Sequence, residues 1–158
     1  MPSTSPIYAA NNLIMRAKES HVELSPLKLQ KLLYILYARC LAEIGAPLFD
    51  NPFEAWKYGP VVTDIYEIFK KASSSVREPM PDKEGSYRAY SLSGAFGRCF
   101  DEVWGKYGHC SAGDLVELTH RPDSAWTKTY NKCDKLYGGY LSDDDIRIDG
   151  DSWFDGRC

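Results

Sequence analysis

The side chains best suited to chemistry in this chain are His109, Cys110, His120, Cys99 and Cys133, from which a zinc site or a cysteine nucleophile would have to be assembled. Zinc sites are usually built on a close ligand pair such as Cys-x-x-Cys or His-x-x-x-His, because that spacing lets two side chains converge on one ion. Adjacent His109 and Cys110 cannot easily do so, and ordinary core and surface roles are expected for all five residues. A Cys–His nucleophile pair needs the same convergence, whereas a buried thiol acting as a small hydrophobe is commoner. Residues 145–156 are spaced partly like a calcium loop, with Asp145, Asp149 and Gly150 in place. Arg147 and Gly156, however, stand where a ligand oxygen and a bidentate Glu are required. Asp82 and Glu84 offer a carboxylate cluster of the nuclease kind, but in a segment too irregular to hold catalytic geometry. Neither G-x-x-x-x-G-K-S/T nor G-x-G-x-x-G occurs, so nucleotide chemistry has no support. No metal, cofactor or catalytic residue is expected, and the missing enzymatic signatures agree with a binding module rather than an enzyme.

Trp56, Tyr58, Trp104, Trp126 and Tyr130 could form a platform on which bases stack. Each sits in an apolar period or an inward turn, so a core role is expected. What must position them is a set of helices. Ser5-Pro6 and Ser25-Pro26 both read as an N-cap followed by proline at the first helical position. From the second pair, Leu29, Leu32, Leu33, Leu36, Cys40, Leu41 and Ile44 trace a broad apolar face ending before Gly45. Residues 46–56 form an extended bridge that delivers Trp56 to the core. Gly59-Pro60 then turns the chain into a helix through Val61, Ile65 and Phe69, ending near Ala72. Residues 73–85 read as the main mobile loop. Further helices are expected through Leu92 to Tyr107, from a capping box at Ser111 and Asp114, and through Trp126 and Tyr130. The alternation of Ile146 and Ile148 leaves room for a short strand. The fold expected is mainly α: a single-domain bundle of about five to six helices with an extended bridge and a possible short β element near the C-terminus.

Composition sets the remaining bounds. A chain of 158 residues, 44% hydrophobic and 13% aromatic, can bury one core. Its longest apolar stretch, 29–49, is interrupted by Lys31, Arg39, Glu43 and Pro47, short of a membrane span. Residues 1–6 lack the basic segment and apolar run of a secretory signal, and the five cysteines form no Cys-x-x-Cys unit. Plain thiols and a cytoplasmic location are expected. The net charge of -3 is uneven. Residues 143–158 hold six Asp against two Arg, leaving 1–142 slightly positive. The division expected is therefore a helical domain over 1–142 and a solvated acidic tail over 143–158. A nearly neutral body lacks the electrostatic term that dominates nucleic-acid affinity.

Two neighbouring stretches carry a more specific signal. Leu29-Gln30-Lys31-Leu32-Leu33-Tyr34 is followed by Phe53, Ala55, Trp56, Tyr58, Gly59, Pro60, Val61, Val62 and Tyr66. In that order they resemble the Panacea family, the SocA-like antitoxin or phage-associated GepA-like domain of bacterial toxin–antitoxin pairs and prophages. The resemblance spans roughly residues 7 to 130 and is strongest from Leu27 to Phe69. It implies a module that neutralises a cognate toxin by direct complex formation, with delivery to a protease or a phage counter-defence role as variants. The alternative is a helix-turn-helix-like DNA-binding regulator, which would have to read DNA through Lys28, Gln30 and Lys31. Partner contacts are expected at Lys31, Tyr34, Ile35, Lys57 and Tyr58, taken as exposed positions that mix aromatic and cationic groups. Architectural roles are expected for Leu29, Leu32, Leu33, Phe53, Trp56, Gly59, Pro60, Tyr66 and Trp126.

Overall fold

The two serine–proline pairs open the first two helices. In the computed structural model, which describes residues 5–70, 75–132 and 139–152, α1 spans Pro6–Glu19 and α2 spans Pro26–Ile44. Ser5 and Ser25 each accept a backbone N–H of the first turn, from Ile7 and Lys28. The prolines fall where a missing N–H costs nothing. Gly45 closes α2, donating its N–H to the Leu41 carbonyl.

α2 is apolar on almost every side: Leu29, Leu32, Leu33, Tyr34, Leu36, Ala38 and Cys40 are all 0% exposed. A helix of that kind must be covered all round. Burying each leucine contributes roughly 1.5–3 kcal/mol, more than any difference in helix propensity along it. The remaining elements are β1 (Glu54–Trp56), β2 (Gly59–Val61), α3 (Thr63–Phe69), α4 (Gly94–Tyr107), α5 (Ala112–Thr119), α6 (Ala125–Lys132) and α7 (Asp143–Ser152). α1, β2, α3, α4, α5 and α7 all touch α2. The protein is mainly helical, with seven helices among the described residues and a two-stranded antiparallel sheet. None of these helices is long and apolar enough to cross a membrane.

Several expectations are corrected. Pro60 does not start a helix: it lies in β2, opposite Ala55, and the helix begins at Thr63. Of the segment expected to be mobile, 73–85, the described part belongs to a strap over 75–91 held on α1 by two buried asparagines. Asn11 donates to the Met80 and Arg88 carbonyls at 2.9 and 2.8 Å and accepts the Met80 N–H at 2.7 Å. Asn12 donates to the Tyr90 carbonyl at 2.9 Å and accepts the Tyr90 N–H at 3.0 Å. Asp82 accepts the Glu84 and Ser86 N–H groups, so the carboxylate considered for catalysis shapes a turn. The expected end of the third helix at Ala72 lies outside the described residues.

The acidic end is not a solvated tail over 143–152, nor a strand at 146–148. It is α7, with three aspartates in its first turn, where negative charge is stabilising. α7 lies so close to α2 that a side chain at Gly150 would meet the Ala38 carbonyl at 2.1 Å. The β pairing near the C-terminus is instead an isolated bridge from Tyr140 to Glu54. Cys40 and Cys99 are buried thiols, but Cys110 is disulfide-bonded, correcting the expectation of a plain thiol there. Cys133 and Cys158 lie outside the described residues. Among those described, no three His, Cys, Asp or Glu side chains gather to hold a metal ion.

Candidate functional site

Gln30 and Lys31 stand inside the molecule, 5% and 0% exposed. Burying an amide or an ammonium costs several kcal/mol, on the order of 2–7 for the amide alone, unless partners replace water. Here the partners are backbone groups of one short stretch. Gln30 donates to the Val62 carbonyl and accepts the Val62 N–H, both at 3.0 Å. Lys31 Nζ donates to the Pro60 carbonyl at 2.8 Å. Burial pushes the Lys31 ammonium down to about 7.

The stretch they grip is the second arm of a tight hairpin. Glu54 pairs with Val61, Ala55 with Pro60 and Trp56 with Gly59, which leaves Lys57 and Tyr58 as a two-residue loop. Gly59 has φ +114, and a Cβ there would lie 2.8 Å from Thr119 Oγ1 and 2.9 Å from Lys31 Cε. Only glycine satisfies both conditions. Alternation along an antiparallel pair sends the backbone groups of Ala55 and Pro60 outward. Ala55 donates its N–H to the Gly139 carbonyl at 2.8 Å. Pro60 has no N–H, and its carbonyl is occupied by Lys31. The free edge of β2 is thus closed to another strand.

Behind the hairpin, Trp126 donates its indole N–H to the Trp56 carbonyl at 2.6 Å. Its ring stacks between His120 at 3.8 Å and Tyr130 at 4.6 Å. Burial, and then the Lys31 charge, hold the His120 imidazole below its ordinary pKa. Farther along α2, Tyr34 donates to Asp149 at 2.5 Å, and the same carboxylate accepts the Ala125 N–H. Burial pushes Asp149 up to about 6.

In front of the hairpin lies a groove of about 530 Å³ between the start of α2, the hairpin loop and α3. Leu27, Trp56, Tyr58, Val61, Ile65, Tyr66 and Phe69 make its apolar lining, with Lys57 and Lys70 beside them. Trp56 meets Tyr66 edge to face at 4.7 Å. The Lys57 ammonium sits 5.4 Å from the Tyr58 ring centre.

The residues expected to contact a partner therefore divide. Lys57 and Tyr58 are exposed on the groove. Lys31, Tyr34 and Ile35 are buried, because α2 is covered on the face taken to be free. The polar atoms of Lys31 and Tyr34 are turned to Pro60 and Asp149. Leu29, Leu32, Leu33, Phe53, Gly59, Pro60 and Trp126 are buried. Trp56, expected in the core, is half-buried in the groove, and Tyr66 is 41% exposed beside it. The regulator alternative loses its reading groups: Lys28 is buried with its ammonium on the Gly108 carbonyl, and Gln30 and Lys31 hold the hairpin. Sequence reasoning missed Leu27 and Lys70 as groove residues and Gln30 as a clamp. The available signal was a Gln-Lys pair inside an otherwise apolar helical run.

Comparison with known proteins covers the same elements. The model of the antitoxin SocA-like Panacea domain matches residues 29–127, from the first turn of α2 into α6. Antitoxin SocA of Caulobacter vibrioides (strain NA1000 / CB15N) is 45% identical over 60 residues, which is 38% of this chain and 32% of that protein. The aligned part thus spans about a third of the relative's length. No solved structure matches the chain. Since the family match takes in more than half of the residues, with the hairpin and both of its clamps inside it, the chain belongs to the antitoxin SocA-like Panacea domain family.

Proposed function

We propose that the protein is an antitoxin-like binding module that neutralises a cognate toxin by forming a direct complex, with the groove in front of the hairpin as the docking surface. One observation carries this reading. The family motif splits into buried residues that hold the hairpin, and side chains of that hairpin and α3 that converge on one exposed apolar groove. Contiguous exposed apolar and aromatic surface is expensive to leave in water and marks recognition sites. The family and the relative named antitoxin SocA supply the kind of partner. The module acts by binding and not by catalysis, and passing the captured toxin to a protease is one way such binding would end.

Co-expression with the toxic product of an adjacent gene tests the proposal. The chain should restore growth and co-purify with that product, whereas Leu27→Glu and Tyr66→Ala should lose both while melting close to the parent. Rescue without a co-purifying complex would replace the binding reading with an enzymatic or transcriptional one. Rescue that persists in a host lacking its cytoplasmic proteases would restrict the mechanism to blockade.

A further inference from the structure

We infer that the groove takes an acidic segment of the partner protein, with one or two large apolar side chains closely followed by carboxylates, held through side chains and not by strand addition. This rests on the reading of the chain as a partner-binding module and gives the groove's occupant a chemistry.

Charge is the first ground. The described lining contains two cations, Lys57 and Lys70, and no acid. Among the described residues, Lys57 has no carboxylate within ion-pair distance; its ammonium rests over Tyr58. Lys70 pairs with Glu67 at 2.5 Å, one turn back on the same helix, and both side chains are well exposed. Such surface pairs are weak enough for an incoming carboxylate to exchange into. The other lysines of this region contribute nothing to the rim, since Lys28 and Lys31 are buried on backbone carbonyls.

The apolar floor is the second ground. Leu27, Tyr58 and Tyr66 are 37%, 57% and 41% exposed within one groove, with half-buried Trp56 between them. Rigid aromatic walls of this kind accept an apolar anchor at little entropic cost. The third ground is what the hairpin forbids. A partner strand would need donors and acceptors along β2, but Pro60 supplies no N–H and its carbonyl is taken by Lys31. Recognition therefore falls to pockets and charges. A basic segment would set its cations against Lys57 and Lys70.

Random peptides displayed on phage, panned on the full chain and counter-selected on Leu27→Glu, supply the probe. Leu27 lies in the first turn of α2, where a carboxylate suits the helix end, so this variant should fold, as a thermal melt will check. Tyr66→Ala serves as the second counter-selection if it does not. Selected peptides should carry an aromatic or branched aliphatic residue followed by Asp or Glu. Replacing those acids with Asn or Gln should weaken binding about threefold to fivefold at low salt, and the difference should shrink at high salt. Lys57→Glu should make the neutralised peptide the better ligand. Groove-dependent peptides without acidic enrichment, or affinities unchanged by neutralisation, would overturn the acidic occupant and leave the groove as a docking site. Growth rescue by Leu27→Glu equal to that by the parent would overturn the groove's part in the functional reading as well.

Discussion

The hairpin over 54–61 and the strap over 75–91 are both non-helical segments that a helix holds with buried amides, and the two fastenings share a geometry. Gln30 donates to and accepts from the backbone of Val62, and Asn12 does the same with Tyr90. In each case one side-chain amide replaces the partner that a neighbouring strand would offer. The segments differ in what they present outward. The hairpin carries Tyr58 and Trp56 to an apolar groove, whereas the strap exposes Tyr87 among the charged side chains of Lys83, Glu84 and Arg88. They also differ in how firmly they are seated. The hairpin has Lys31 and the steric fit of Gly59 in addition to its amide, while the strap has Asn11, Asn12, an N–H from Val76 to the Leu24 carbonyl, the Tyr90 hydroxyl on the Leu48 carbonyl and an exposed Lys18–Glu78 pair. Buried amides thus mark where a helix stands in for a strand, and what accompanies them decides whether the held segment is a scaffold or a cover.

The largest effects should come from the two glycines that separate these cases. Gly59 and Gly85 both have positive φ, +114 and +82, but only Gly59 is hemmed in by side chains. Gly59→Val should cost about 3–5 kcal/mol, combining backbone strain with overpacking. Gly85→Ala should cost about 1 kcal/mol from strain alone. Urea titration measures both. Equal costs would mean that the packing around Gly59 yields, and that the hairpin is seated no more firmly than the strap.

Next in size are the amides themselves. Gln30→Ala leaves the Val62 N–H and carbonyl without their partner in the interior, which should cost about 2–4 kcal/mol. Asn12→Ala leaves the same two groups of Tyr90 unpaired, but in a partly buried segment that water can reach, and about 1–2 kcal/mol is expected. Hydrogen exchange localises the damage: the Val62 amide in the first variant, the Tyr90 amide in the second. If Asn12→Ala proved the costlier, the strap and not the hairpin would be the scaffold.

How much of this was legible in the sequence follows the distance over which each clamp reaches. Gln30 and Val62 are 32 residues apart, Asn12 and Tyr90 are 78. Ser5-Pro6, Ser25-Pro26 and the Ser111 capping box read correctly because caps are local and each is complete within four residues. Pro60 misled because its fixed φ suits a strand as well as a first helical turn, and only pairing with Ala55 decides between them. The exposure of Lys31 misread for a different reason. Its charge argued for solvent, but a lysine can be buried when a carbonyl waits for it, and nothing local announces the Pro60 carbonyl. The aspartates of 143–152 read as a tail because charge dominated the count, while Ile146 and Gly150, which seat α7 on α2, carry little weight in a composition.

Acidity should separate the two fastenings, since the strap's amides do not titrate and Lys31 does. Its pKa in the folded protein, about 7, lies below the 10.5 of the unfolded chain. Between those values the unfolded chain holds a proton that the native state lacks, so the Lys31 contribution to stability rises with pH across the window. Below it, the native state bears the full cost of a buried ammonium. The difference in unfolding free energy between the parent and Lys31→Met should therefore shift in the parent's favour as pH rises from 7 to 10, by on the order of 1–3 kcal/mol. The difference between the parent and Asn12→Ala should stay flat. A flat Lys31→Met comparison would mean that the ammonium keeps its proton throughout.

The smallest effect on stability should be the most informative about function. Lys57 on the hairpin loop and Lys83 on the strap are both exposed, and neither forms an ion pair among the described residues. Charge reversal at either should alter the unfolding free energy by no more than about 0.5 kcal/mol. If the hairpin presents the recognition surface and the strap is only a cover, the two should part company in the cell. Lys57→Glu should weaken growth rescue and complex formation with the toxic partner, because it removes a cation from the rim of the groove. Lys83→Glu, made in the same background and melting at the same temperature, should rescue like the parent. A shared loss would place partner contacts on both segments, and a loss confined to Lys83→Glu would move the docking surface to the strap.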